Sequence, residues 1–115
     1  MKIHTERGII DISAEVFAAM SGYAATNCFG VKGMVIRGVS DGIWHLLKPE
    51  AMSKGVKVRF TEGSVSIELH IAVEHGINIS AISKSIISEI RYVVERYTGV
   101  QVSSVDICVD SIIAG

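Results

Sequence analysis

The residues of this 115-residue chain that could do chemistry are its histidines, cysteines and paired carboxylates, and their spacing limits what they can do. Glu68 and His70 stand two apart in an alternating stretch, with Glu74 and His75 close behind. Period two puts Glu68, His70 and Glu74 on one face of a strand, where imidazole and carboxylate could share a cation. Metal sites gather three or more ligands, and no second cluster is visible in the sequence. The reading is therefore a solvated strand face, with no metal and no cofactor. His4 falls in a terminus read as mobile, and His45 in a short apolar segment with neither a base nor a ligand partner in view.

Nucleophiles fare no better. Cys28 and Cys108 lie far apart and neither belongs to a CxxC, which leaves a structural disulfide or zinc site without support. The serines include no GxSxG elbow. Asp106 and Asp110 share the polar side of the last strand with Ser104 and Cys108. General acid–base work would need one of these carboxyls in an apolar cleft, and an exposed edge is the simpler reading. With no catalytic set assembled, the expectation is a protein that is not an enzyme and has no small-molecule substrate.

Two glycine patterns bear on nucleic acids. Gly30-Val31-Lys32-Gly33 matches the GxxG of the RNA-binding KH module, in which backbone and a basic residue clamp phosphates. A KH loop joins two helices, whereas Gly33 leads into the apolar run Met34-Val35-Ile36, so a KH-like single-stranded RNA-binding module using Gly30 to Gly33 stands only as the alternative function. Neither GxxxxGK[ST] nor GxGxxG occurs.

The elements that must position these residues are centred on Ser53 to His75. Val56, Val58 and Phe60 alternate with Lys57 and Arg59. After TEGS, Val65, Ile67, Leu69, Ile71 and Val73 alternate with Ser66, Glu68, His70, Ala72 and Glu74. This predicts a β-hairpin turning at Thr61 to Ser64, with one apolar face and one wet face. Upstream, Gly8 to Ile12 reads as a short strand, and Ser13 as the N-cap of a helix running to about Asn27 with Val16, Phe17, Met20, Tyr23 and Ala24 on its apolar stripe. Gly22 weakens that helix by about 1 kcal/mol and points to close packing. Met34 to Ile36 is either an edge strand or a packed loop. Asp41 to Lys48, DGIWHLLK, reads as a short helix capped by Asp41 and stopped by Pro49.

Downstream, Ile79, Ile82, Ile86, Ile90, Val93, Val94 and Tyr97 keep a 3.6-residue period up to a C-cap at Gly99. In the last strand, Val100 to Ile112, apolar positions change phase, which predicts a bulge near Ser103 and Ser104. The predicted fold class is α+β: a two-layer domain over residues 1–115 with two main helices packed on one face of a small, largely antiparallel sheet, in the order β-α-short α-β-β-α-β.

Composition agrees with a single folded domain. The chain is 49% hydrophobic and 20% charged, with one proline, and its net charge of -1 steers it toward no polyanion. The longest uncharged stretch, Val16 to Val31, is too short and too polar to span a bilayer, and Asp11 and Glu15 interrupt the region a secretory signal would keep apolar. A cytoplasmic protein is expected. Ile43, Trp44, Leu46, Leu47 and Met52 either fold onto the core or leave an apolar patch anchored by the only tryptophan.

Several short blocks occur in an order that resembles the alkaline shock protein family of Gram-positive bacteria. They are Asp41-Gly42-Ile43 with Leu46-Leu47, Ser53-Lys54-Gly55-Val56-Lys57-Val58, Val73-Glu74-His75-Gly76-Ile77-Asn78-Ile79, and Thr98-Gly99 before the valine-rich strand. The resemblance covers Gly8 to about Ile112. It implies a cytosolic, non-enzymatic protein of cell-envelope homeostasis and stress that self-associates as a homo-oligomer, and in some members is held at the membrane by a separate anchoring protein. The chain departs from the family pattern at Ser80 and Ala81, where proline and glutamate are usual, and at Trp44 and His45 in the short segment. Ile43, Trp44, Leu47, Met52, Arg59, Glu68 and His70 are accordingly the candidate partner contacts.

Overall fold

Alternation of β-branched and polar residues gives the sheet its spine, the eleven-residue strand Ser64–Glu74. The computed structural model describes residues 1–38 and 42–114. In chain order the elements are β1 (Lys2–Thr5), β2 (Gly8–Asp11), α1 (Ala14–Thr26), β3 (Val31–Arg37), β4 (Trp44–Leu46), a 3-10 helix (Pro49–Gly55), β5 (Val56–Thr61), β6 (Ser64–Glu74), α2 (Ile79–Thr98) and β7 (Gln101–Ile113).

The predicted hairpin is β5–β6, with Thr61 opposite Ser64 and Gly63 in the turn at φ 70°, a left-handed conformation that favours glycine. β5 pairs with Ser64 to Leu69 and β3 with Ile71 to Val73, both antiparallel. β7 runs parallel to β6 from Ser64 to Glu74. A strand has two edges, so β5 and β3 share one edge of β6 end to end and β7 takes the other. The parallel pair needs a crossover, and α2 provides it. β4 lies outside β3, while β1 and β2 form a separate two-stranded hairpin.

Val65, Ile67, Leu69, Ile71 and Val73 all point into one core and are at most 1% exposed. Above them lie α1 with Phe17, Ala18, Ala24 and Ala25, and α2 with Ile82, Ile86, Ile90 and Val94. Phe17 meets Phe60 edge to face, with centroids 5.5 Å apart. Asn78 caps α2 by accepting from the Ala81 amide, and Gly99 closes it in the left-handed region at φ 73°.

The fold class stands as expected, and so does the bulge: the β6/β7 register skips Ser103, and skips again at Asp110. Several local expectations are corrected. DGIWHLLK is not a helix. Its Trp44, His45 and Leu46 pair with Arg37, Ile36 and Val35, and Pro49 opens a 3-10 helix instead of ending a helix; Asp41, the expected cap, lies outside the described residues. Eight residues hold a helix poorly, and an available edge on β3 offers partners to the backbone groups that face it. Met34 to Ile36 is a strand lying between β6 and β4. His4 sits in β1 opposite Ile9, not in a loose end. Ser13 occupies the N-cap without a side-chain hydrogen bond, and Val16 and Tyr23 face outward while Ser21 and Gly22 are buried. The close approach inferred at Gly22 is to Met52, whose side chain a Cβ would meet at 3.3 Å.

Packing energetics give two expected outcomes in urea denaturation. Ile90→Ala, at a fully buried position, lowers stability by about 2–5 kcal/mol, whereas Tyr97→Ala, 69% exposed, stays within about 0.5 kcal/mol. Gly30→Ala also destabilises strongly, because its φ is 87° and the new Cβ would lie 2.6 Å from Ile82 Cδ1; Gly63→Ala, with open space around it, costs only the strain of its φ.

Candidate functional site

The face of the sheet turned away from both helices is built from three strands in register. Lys57 and Arg59 of β5 stand beside Glu68 and Ser66 of β6, and across the parallel pair Ser66, Glu68 and His70 adjoin Ser104, Asp106 and Cys108 of β7. Forty residues separate His70 from Asp110, yet the parallel register brings them together. The bulge that skips Asp110 redirects its side chain toward the imidazole, a common use of an extra residue in a strand.

His70 is the centre of this face. Its Nδ1 lies 2.5 Å from Asp110 Oδ2 and its Nε2 2.9 Å from Glu68 Oε2. Trp44 closes the site from above: its ring stacks on the imidazole at 16° with centroids 5.6 Å apart. Val35, buried but outside the main core, lines the adjoining cleft of about 220 Å3 with Trp44, Arg37, Lys54, Lys57 and His70. A second cleft of about 170 Å3 runs along Lys57, Arg59, Ser66, Glu68, Ser104 and Asp106. Glu68 also holds Lys57 Nζ at 3.9 Å. Ligand atoms of Glu68, His70 and Cys108 all fall within 4.8 Å of one another.

The electrostatics follow from this crowding. The hydrogen bond from His70 holds the Glu68 carboxyl below its ordinary value, against an opposing push from burial, with the charges of His70, Lys57 and Arg59 adding to the lowering. Burial, then the negative charges of Glu68, Asp110 and Asp106, push the Cys108 thiol up. Burial and then Glu89 do the same to Cys28. Neither thiol is set up as a nucleophile, since reactive cysteines sit in electropositive surroundings that favour the thiolate.

The candidate contacts separate into two groups. Trp44, Glu68 and His70 meet at this site, and Arg59 lines the neighbouring cleft. Ile43 precedes β4 and is 60% exposed. Leu47 and Met52 instead pack against the core from its margin. Sequence reasoning put Cys108 and Asp110 on the polar side of the last strand but did not bring them to His70. Asp110 lies on an edge strand, but its side chain is only 18% exposed and is bonded to His70. The one signal that could have found it is the second change of apolar phase after Val109. Gly30 to Gly33 leads from α1 into β3 and Gly30 O accepts from the Glu74 amide, so the segment is not the helix-to-helix loop that a KH clamp needs.

The pH dependence has a definite sign. Because folding lowers the Glu68 carboxyl from its ordinary 4.5, its stabilising contribution is complete above that value and is lost as pH falls through the folded one. Glu68→Gln is expected to reduce stability at neutral pH and to flatten the acid side of the stability profile, read by urea denaturation from neutral pH to pH 3.

The family model of the alkaline shock protein 23 family, described as having a cell envelope-related function, matches residues 2–114. The uncharacterized protein YloU of Bacillus subtilis is 34% identical over 113 residues, covering 97% of this chain and 94% of its own. The uncharacterized protein Spy1614 of Streptococcus pyogenes is 33% identical over 113 residues, covering 97% and 93%. Among solved structures, a MamM CTD chain is similar with a TM-score of 0.51 at 15% identity, covering 86% of this chain and 99% of that one. A manganese form of a MamM CTD variant gives the same TM-score at 16% identity and the same coverage. At these identities the likeness is one of fold. No helix among the described residues is long and apolar enough to cross a membrane. With residues 2–114 matched by its model, the chain belongs to the alkaline shock protein 23 family, whose function is related to the cell envelope.

Proposed function

We propose that the protein is a non-enzymatic interaction module of cell-envelope homeostasis and stress, which works by associating with copies of itself and is held at the membrane by a separate anchored partner. The observation that carries this reading is the outer edge of β7. The strand is thirteen residues long, and among the described residues it pairs with β6 alone. Its outward-facing backbone donors and acceptors, apart from the Val102 amide that donates to Glu95 Oε2, are a template for a further strand. Ile112, 56% exposed on this strand, adds apolar surface to the edge.

The natural occupant is β7 of a second copy, since an edge that pairs with itself about a two-fold axis closes a dimer and leaves no growing end. The opposite margin of the sheet, β4, is three residues long and carries Leu46, 50% exposed, with Ile43, 60% exposed, just before it. With Trp44 and Arg59 it forms the second surface, suited to the anchoring partner.

Sedimentation velocity over micromolar to near-millimolar concentration tests the reading. The wild type is expected to sediment above the mass of one chain, Ile112→Lys at that mass, and Ile43→Lys like the wild type. A wild type that stays at the mass of one chain throughout contradicts the proposal.

A further inference from the structure

We infer that Glu68, His70 and Cys108 form a binding site for a thiophilic divalent cation of the zinc or cobalt type, with Asp110 as the residue that orients the histidine. Three ligand atoms of the kinds such ions prefer, one imidazole nitrogen, one carboxylate oxygen and one sulfur, already lie within 4.8 Å of one another. On a tetrahedral ion with bonds of about 2.0–2.3 Å, ligand atoms stand about 3.3–3.8 Å apart. Small side-chain rotations therefore close the site without moving the strands, whose ladders fix all three residues.

Asp110 is the second, independent observation. A metal-binding histidine commonly donates its other ring N–H to a carboxylate, which sets both tautomer and ring angle. Asp110 Oδ2 stands 2.5 Å from Nδ1, so that nitrogen carries the donated proton, while Nε2 is aimed at the Glu68 carboxylate. The stacked Trp44 ring limits rotation of the imidazole further. Asp106 adds a third carboxylate to the neighbourhood, while Lys57 and Arg59 on one side and Arg37 and Lys54 on the other offset these charges, so the site's hold on a cation comes from its ligand atoms and not from net charge. On binding, the Cys108 thiol proton and any proton on Nε2 leave to solvent, and Lys57 gives up its contact with Glu68. No step of chemistry is implied. The ion would tie β6 to β7 beneath Trp44 and stiffen this side of the sheet.

The test is titration of the purified, reduced, metal-free protein with Co2+, followed by visible and near-ultraviolet absorption and by thermal melting. One Co2+ per chain is expected, with a thiolate-to-cobalt charge-transfer band and a raised melting temperature. The band should vanish in Cys108→Ala and persist in Cys28→Ala. Asp110→Asn, which keeps all three ligands, should retain the band while weakening binding about 10- to 100-fold. That variant keeps the proposal testable if Cys108→Ala does not fold. Substoichiometric binding without the band, a band that survives Cys108→Ala, or an Asp110→Asn variant that binds like the wild type would each overturn the assignment.

Discussion

Hydrogen bonding along both edges of β6 is the constraint on which the rest of the molecule depends. β5 and β3 occupy one edge and β7 the other, so the strand can neither slip in register nor rotate about its axis. A slip of one residue would carry Val65, Ile67, Leu69, Ile71 and Val73 to the outer face and bury Glu68 and His70 in their place. Burying five apolar side chains is worth about 1.5–3 kcal/mol for each, so the register is held by a margin comparable to the whole stability of a small domain. The core and the polar site are thus two faces of one decision made by the backbone.

That decision also explains why the polar face is organised and not merely solvated. Parallel pairing with β7 delivers Asp106 and Cys108 beside Glu68 and His70 at fixed spacing, and the bulge turns Asp110 inward. From the other side, β3 carries β4, and β4 brings Trp44 over the imidazole. Three segments far apart in the chain therefore converge on His70 through backbone pairing alone. Among the described residues the same pairing leaves the outer edge of β7 without a strand partner, so the site and the proposed association surface belong to one strand.

How much of this was legible in the sequence follows from the range of the interactions. The β5–β6 hairpin, α2 with its Gly99 cap, and the bulge at Ser103 were readable, because period and turn chemistry are local. The segment around Trp44 was not. Its spacing suits a helix, and only an edge strand placed next to it by β3 makes β4 the better solution. In α1 the small residues Ala18, Ser21, Gly22 and Ala25 face the core, which a search for large apolar side chains overlooks. Within the site, Glu68 and His70 could be paired from sequence because they share one strand. Cys108 and Asp110 could not, since their approach depends on a parallel ladder spanning α2. Two of the family blocks, Val73 to Ile79 and Thr98-Gly99, fall on the turn into α2 and on its caps, where backbone geometry restricts the residue.

Native-state hydrogen exchange measures the central claim directly, because it reports how each strand opens. If β6 is bonded along both edges, the amides of Val65 to Val73 should exchange only through global unfolding, with opening free energies equal to the total stability, while those of β4 open locally at much lower cost. β6 amides exchanging as readily as those of β4 would contradict the account, for the strand would then not be the member that sets the register of the fold.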